Sequence, residues 1–99
     1  MEVRIPAQKV TEAEPAVVNA GGRWIAVFRV DDDFYAVEDT CPHQGNPLSM
    51  GEVRGRTLTC AFHGWRFDLE TGFCVAGGAP VASFPVQLVD GEIVVDVPD

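Results

Sequence analysis

The segments Cys41-Pro-His43-Gln-Gly-Asn-Pro-Leu48 and Cys60-Ala-Phe-His63-Gly-Trp-Arg-Phe-Asp68 decide how this chain is read. A Cys-x-His pair is followed, after sixteen residues, by Cys-x-x-His. His43 and His63 are the only histidines in the 99 residues, and two of the three cysteines stand beside them. Thiolate and imidazole together suit zinc, copper and iron–sulfur centres. The short spacings let each loop present two donors to neighbouring positions. Pro42, Gly45 and Pro47 break the first segment and Gly64 the second, so backbone N–H groups can turn inward toward a bound group. Cys41, His43, Cys60 and His63 are therefore the candidate ligands of one metal site fed by two loops.

Outward from these loops the chain reads as short β-type runs broken by turn residues. Val3–Pro6 is a candidate first strand. Ala16–Asn19 and Arg23–Val30 flank Gly21-Gly22, a two-residue hairpin signal. In the second of these runs Trp24, Ala26, Phe28 and Val30 alternate with Ile25, Val27 and Arg29. Both faces are largely apolar, which predicts a central strand. Asp31-Asp32-Asp33 makes the next turn, and Phe34–Glu38 returns. Glu52–Gly55 with Thr57–Cys60 reads as a short hairpin. Arg66–Leu69 and Phe73–Val75 flank Glu70-Thr-Gly72. Ser83–Val89 pairs with Glu92–Val97 across Asp90-Gly91, the strongest hairpin signal present. No amphipathic helix is visible. The fold expected is all-β, an antiparallel sandwich or small barrel, with the segment from Thr40 to Phe67 as a loop-bearing insert.

The totals fit a single domain over residues 1–99. Seven basic against fifteen acidic residues give a net charge of −8. That argues against nucleic acid and anionic membranes as partners, which select for positive charge. No apolar run approaches the roughly 18 residues of a membrane span. The start, Met1-Glu-Val-Arg-Ile-Pro6, lacks the features of a signal peptide, so a cytoplasmic location is expected. Without a secretory signal, three cysteines point to metal binding or buried thiols rather than a disulfide framework. Cys74 has no histidine partner and reads as a small buried hydrophobe. Between Cys41 and Phe67, three arginines face one glutamate, a net of +2, and the rest of the chain carries −10. A molecule with a mildly basic site end and an acidic base is expected to orient in the field of a partner.

The ligand pattern is similar to that of the Rieske family, in which two cysteines hold one iron of a [2Fe–2S] cluster and two histidines the other. The residues flanking both pairs resemble the cluster loops of Rieske ferredoxins and ring-hydroxylating oxygenases. Gly77-Gly-Ala-Pro80 resembles the proline-containing loop that covers the cluster in that family. The resemblance implies a Rieske-like base carrying a two-loop insert at about residues 40–67. It also implies one [2Fe–2S] cluster on Cys41, His43, Cys60 and His63, with the outer N–H groups of both imidazoles facing outward. In respiratory Rieske proteins two further cysteines tie the loops together. The matching positions are Asn46 and Phe62, so that disulfide cannot form. The family's Ser and Tyr hydroxyls near the cluster correspond to Trp65 and Phe67, which predicts a potential low in the family range of roughly −150 to +300 mV.

The function implied is that of a soluble one-electron carrier with no catalytic residues of its own. It would pass electrons from a flavin-dependent, NAD(P)H-fed ferredoxin reductase to a terminal oxygenase, docking at the cluster end, as a monomer. Both histidines are taken by the cluster, so no 2-His-1-carboxylate iron site can be built. A detached Rieske domain of an oxygenase subunit stays open at the level of sequence, and two further assignments do as well. One is the small Rieske subunit of an assimilatory nitrite reductase. The other is a structural Cys2His2 zinc module, although zinc fingers carry their histidines on a helix and none is visible. Trp65 reads as packing beneath the cluster rather than as a docking aromatic. Pro47, Leu48 and Met50 are either a contact patch or loop packing.

Overall fold

In the computed structural model, residues 1–41, 45, 47–61 and 64–98 are described. Eleven strands form among them: β1 (Glu2–Pro6), β2 (Ala16–Ala20), β3 (Arg23–Val30), β4 (Asp33–Glu38), β5 (Glu52–Arg54), β6 (Thr57–Thr59), β7 (Arg66–Asp68), β8 (Cys74–Ala76), β9 (Ser83–Phe84), β10 (Val86–Val89) and β11 (Glu92–Asp96). The helical pieces among the described residues are two 3-10 turns, Ala7–Lys9 and Leu48–Met50. All pairing is antiparallel, in three sheets ordered β1-β11-β10, β2-β3-β4-β9 and β5-β6-β7-β8.

The period-2 pattern of β3 explains the layering. Ile25 and Val27 point to one core, with Ile5, Ile93 and Val95 of the first sheet and Val97 just beyond it. Ala26 and Phe28 point to a second core, with Leu48, Leu58, Phe67, Leu69, Cys41 and Cys60. The middle sheet is thus apolar on both faces, as expected for a strand flanked by β2 and β4. Trp24 departs from the pattern: it stays exposed beside the edge strand β2.

The turns follow their residues. Asp90 and Gly91 both adopt positive φ, 51° and 78°, between the paired Val89 and Glu92. Gly21 and Gly22 do the same between Ala20 and Arg23. Both are the left-handed geometry that the twist of a two-residue hairpin demands. One run is not continuous as its sequence reads. Ser83–Val89 breaks at Pro85, which has no N–H to give a ladder. Ser83 and Phe84 pair with β4 of the middle sheet, and Val86–Val89 pairs with β11 of the first. The break carries the chain from one layer to the other. The third sheet also extends past Phe67, because β8 joins β7 through a bulge at Arg66/Phe67.

The third sheet is tied back to the middle one near Gly72. The carbonyl of Gly72 accepts from the N–H of Val81, and Ser83 Oγ donates to the carbonyl of Thr71. Gly72 has φ +77°, and a Cβ there would lie 2.0 Å from the carbonyl oxygen of Val81. Backbone cannot yield at that distance as a flexible side chain can. We expect Gly72→Ala to lower unfolding stability by on the order of 3 kcal/mol in urea titration, from strain at positive φ plus the lost tie. An unchanged midpoint would contradict this packing.

Candidate metal centre

Cys41 follows the end of β4, and Cys60 follows the end of β6. Their side chains are 0% and 2% exposed and belong to the same apolar cluster, the second core. Neither is joined in a disulfide. Each cysteine opens a matching turn. The N–H of Gly45 donates to the carbonyl of Cys41 at 2.8 Å, and the N–H of Gly64 to that of Cys60 at 3.1 Å. Both closures span four residues and end on a glycine at positive φ, 74° and 76°. Chain reversal after each cysteine uses the one residue with no steric penalty there. His43 falls within the first closure in sequence and His63 within the second; both lie outside the described residues, as do Asn46 and Phe62.

The two turns are fixed at their bases by separate devices. Asp39, 8% exposed, accepts from the Ser49 N–H at 2.6 Å and from Ser49 Oγ at 3.0 Å. Its own N–H donates to the carbonyl of Trp24. Leu48 is fully buried in the second core, whereas Pro47 and Met50 are exposed. The apolar tip of the first loop therefore divides between anchoring and surface. Gly51 then passes so close to β6 that a Cβ there would meet the Thr59 carbonyl oxygen at 2.3 Å. That approach brings the exit of the first loop against the strand that leads to Cys60. At the second loop, the N–H of Cys60 donates to the carbonyl of Trp65 at 2.7 Å.

A third loop meets the second through Trp65. The indole is half-buried on the second core, with its ring centroid 6.5 Å from that of Phe67. It lies under Gly77 and Gly78, where an added Cβ would come within 2.5 Å and 3.2 Å of its ring. Trp65 is thus a packing residue, and it seats the loop Gly77–Pro80. Phe67 is wholly buried and Cys74, its register neighbour, is half-buried on the same core. Among the described residues no three metal-binding side chains converge, the histidines lying outside them.

The charges near the loops are largely paired. Arg54 bonds Glu52 at 2.8 Å and Arg56 bonds Glu70 at 2.5 Å, all exposed. Such pairs contribute little to stability. Arg66, beside Trp65 and exposed, has no ion pair among the described residues.

The donor set and its setting fit an iron–sulfur cluster. Two buried cysteines belong to one apolar cluster, and each heads a Gly-closed turn that carries one histidine in its sequence. Soft thiolates with imidazoles are the ligands such clusters take. The sequence reading found both cysteines but missed the Asp39–Ser49 bond and the close approach at Gly51. Asp39 lies in Glu38-Asp39-Thr40, which reads no differently from the exposed Asp31-Asp32-Asp33 turn.

Comparison with known proteins gives a consistent result. The chain matches the Rieske [2Fe–2S] domain family over residues 2–90. It is 39% identical over 89 residues to the anthranilate 1,2-dioxygenase ferredoxin subunit of Burkholderia cepacia, covering 88% of this chain and 82% of that one. Its fold matches a structure of the complex of reduced oxygenase and oxidized ferredoxin in carbazole 1,9a-dioxygenase with TM-score 0.86 and 35% identity, over 95% of this chain and 100% of that one. A structure assigned to the small subunit of an NADPH nitrite reductase matches with TM-score 0.83 over 98% of this chain and 99% of that one. At 21% identity, this last likeness shows the fold alone.

Gly77→Ala tests the seating of the third loop. A Cβ at that position collides with the Trp65 ring, so in a Trp24→Phe background the remaining tryptophan emission should shift to longer wavelength as the indole is displaced. Unchanged emission would mean that Trp65 does not pack under Gly77.

Proposed function

The chain belongs to the Rieske [2Fe–2S] domain family, and from that premise we propose that it is the ferredoxin of a multicomponent oxygenase system, taking electrons from an NAD(P)H-dependent flavin reductase and delivering them to a terminal oxygenase. Its cofactor is one [2Fe–2S] cluster, and it is an electron-transfer component rather than a catalyst. Family membership removes the zinc reading.

The observation that carries the proposal is the pair of buried thiols at the heads of two matching Gly-closed turns. On this reading Cys41 and Cys60 supply the thiolates of one iron, and His43 and His63 the imidazoles of the other. The bound cluster supplies reversible uptake of a single electron. The chain's own residues do the rest. Leu48, Leu58 and Phe67 keep the cysteine side dry, so the thiolates do not exchange with water. Trp65 seats the loop Gly77–Pro80 against the second ligand loop. Coordination through one ring nitrogen would leave the other nitrogen of each imidazole to donate to solvent or a partner, and the histidine side would then be the exit for the electron. Residues 1–99 act as a single domain, and the loops from about 40 to 67 form its cluster-binding insert. The cytoplasm is its proposed location.

Support for the oxygenase acceptor comes from the relatives: one is a ferredoxin subunit of a dioxygenase, and one solved structure holds a ferredoxin with its oxygenase. No observation on this chain favours a nitrite reductase. The paired Arg54 and Arg56 leave Arg66 as the basic group placed to meet an acidic acceptor face.

Anaerobic stopped-flow mixing tests the assignment. Chemically reduced protein should reoxidise in one fast phase on meeting the terminal oxygenase of a ring-hydroxylating system, and no faster than buffer with a sirohaem nitrite reductase. The reverse order of rates would transfer the chain to the nitrite system. Alanine at Cys41, His43, Cys60 or His63 should each abolish the visible absorbance of the purified protein, and a variant that keeps it would remove that residue from the ligand set.

A further inference from the structure

Asp39 is the only buried charged side chain among the described residues. Both of its side-chain oxygens accept hydrogen bonds from one residue, Ser49, through its backbone N–H and its hydroxyl. No cation pairs with it among the described residues. A carboxylate in that position keeps its full negative field, softened by two neutral dipoles and little by solvent. It precedes Cys41 by two residues, so the two Cα atoms lie within about 7 Å. Ser49 belongs to the 3-10 turn at the other end of the same loop. The carboxylate thus sits at the base of the first ligand loop and faces its two ends.

We propose that Asp39 is a potential-setting residue: its buried charge lowers the reduction potential of the cluster, and Ser49 limits how far. The inference rests on the reading that Cys41 and His43 hold the cluster. One electron from a reductant places one more negative charge on the centre, and no proton or bond change is needed. A fixed negative charge nearby opposes that electron, whereas the Ser49 donors partly offset the charge. The two residues therefore act with opposite signs. A structural clamp would not, because loosening either partner would disturb the loop in the same direction.

Two substitutions separate these roles. In Asp39→Asn the amide oxygen can still accept from the Ser49 N–H, and its NH2 can donate to the hydroxyl oxygen, so both contacts survive without the charge. In Ser49→Ala the charge survives and one donor is lost. Iron and sulfide content and the EPR spectrum of the reduced wild-type protein come first, because a protein without a cluster defeats the functional reading itself. Redox titration of the loaded proteins then decides the inference. Asp39→Asn should favour reduction about tenfold, a rise of about 59 mV for one electron. Ser49→Ala should fall below the wild-type potential. An Asp39→Asn potential that is unchanged or lower, or a Ser49→Ala potential that is unchanged or higher, overturns the inference. If Asp39→Asn does not retain a cluster, Ser49→Ala decides alone: a lower potential supports the charge, and an equal or higher one overturns it.

Discussion

Burial of two cysteines on one apolar core is the constraint around which the upper half of the molecule is arranged. Cys41 and Cys60 are 19 positions apart and leave different sheets, yet both thiols reach the core built by Ala26, Phe28, Val37, Leu58 and Phe67. The middle sheet makes this possible because it is apolar on both faces. One face closes the base against the first sheet. The other is left for the insert, and the short third sheet covers it. Neither core would form without the double-faced β3.

Among the described residues of the two ligand loops the one regular piece is the 3-10 turn Leu48–Met50, and the contacts that fix the loops lie at their bases. Asp39 and Ser49 close the base of the first loop, Leu48 pins it to the core, and Gly51 lets it press on β6. The indole of Trp65 carries the third loop, with Gly77 and Gly78 lying flat on it. The rigid elements lie beneath the site and the polypeptide reversals above it. This suits an electron carrier, since a ligand frame that moves little between oxidation states adds little reorganisation to the transfer. The exposed surface is acidic overall, with the arginines near the loops mostly engaged in surface pairs, so long-range orientation toward a partner depends on the whole distribution and on Arg66.

Much of this was legible in the sequence. The alternation in Arg23–Val30 predicted a strand with two buried faces, and Gly21-Gly22 and Asp90-Gly91 marked hairpins that form in register. The Cys and His spacing pointed to the site, and the family resemblance agrees with the match over residues 2–90. The failures have physical causes. Ser83–Val89 has a single apolar pattern, but Pro85 interrupts its ladder and the halves enter different sheets. Trp24 fits the apolar stripe of its strand yet lies beyond the reach of the insert. Asp39 looks like turn polarity, because a buried carboxylate is recognised only by its donors, and Ser49 is brought to it by tertiary structure.

The central claim is that these loops hold a Rieske cluster and move one electron at a time. It is tested most directly by EPR of the purified protein after dithionite reduction, with iron and acid-labile sulfide assayed on the same sample. The account predicts a red-brown protein containing about two irons and two sulfides per chain, with the rhombic signal of a one-electron-reduced Rieske centre. A colourless, EPR-silent protein carrying one zinc would contradict it and make Cys41, His43, Cys60 and His63 a structural clasp.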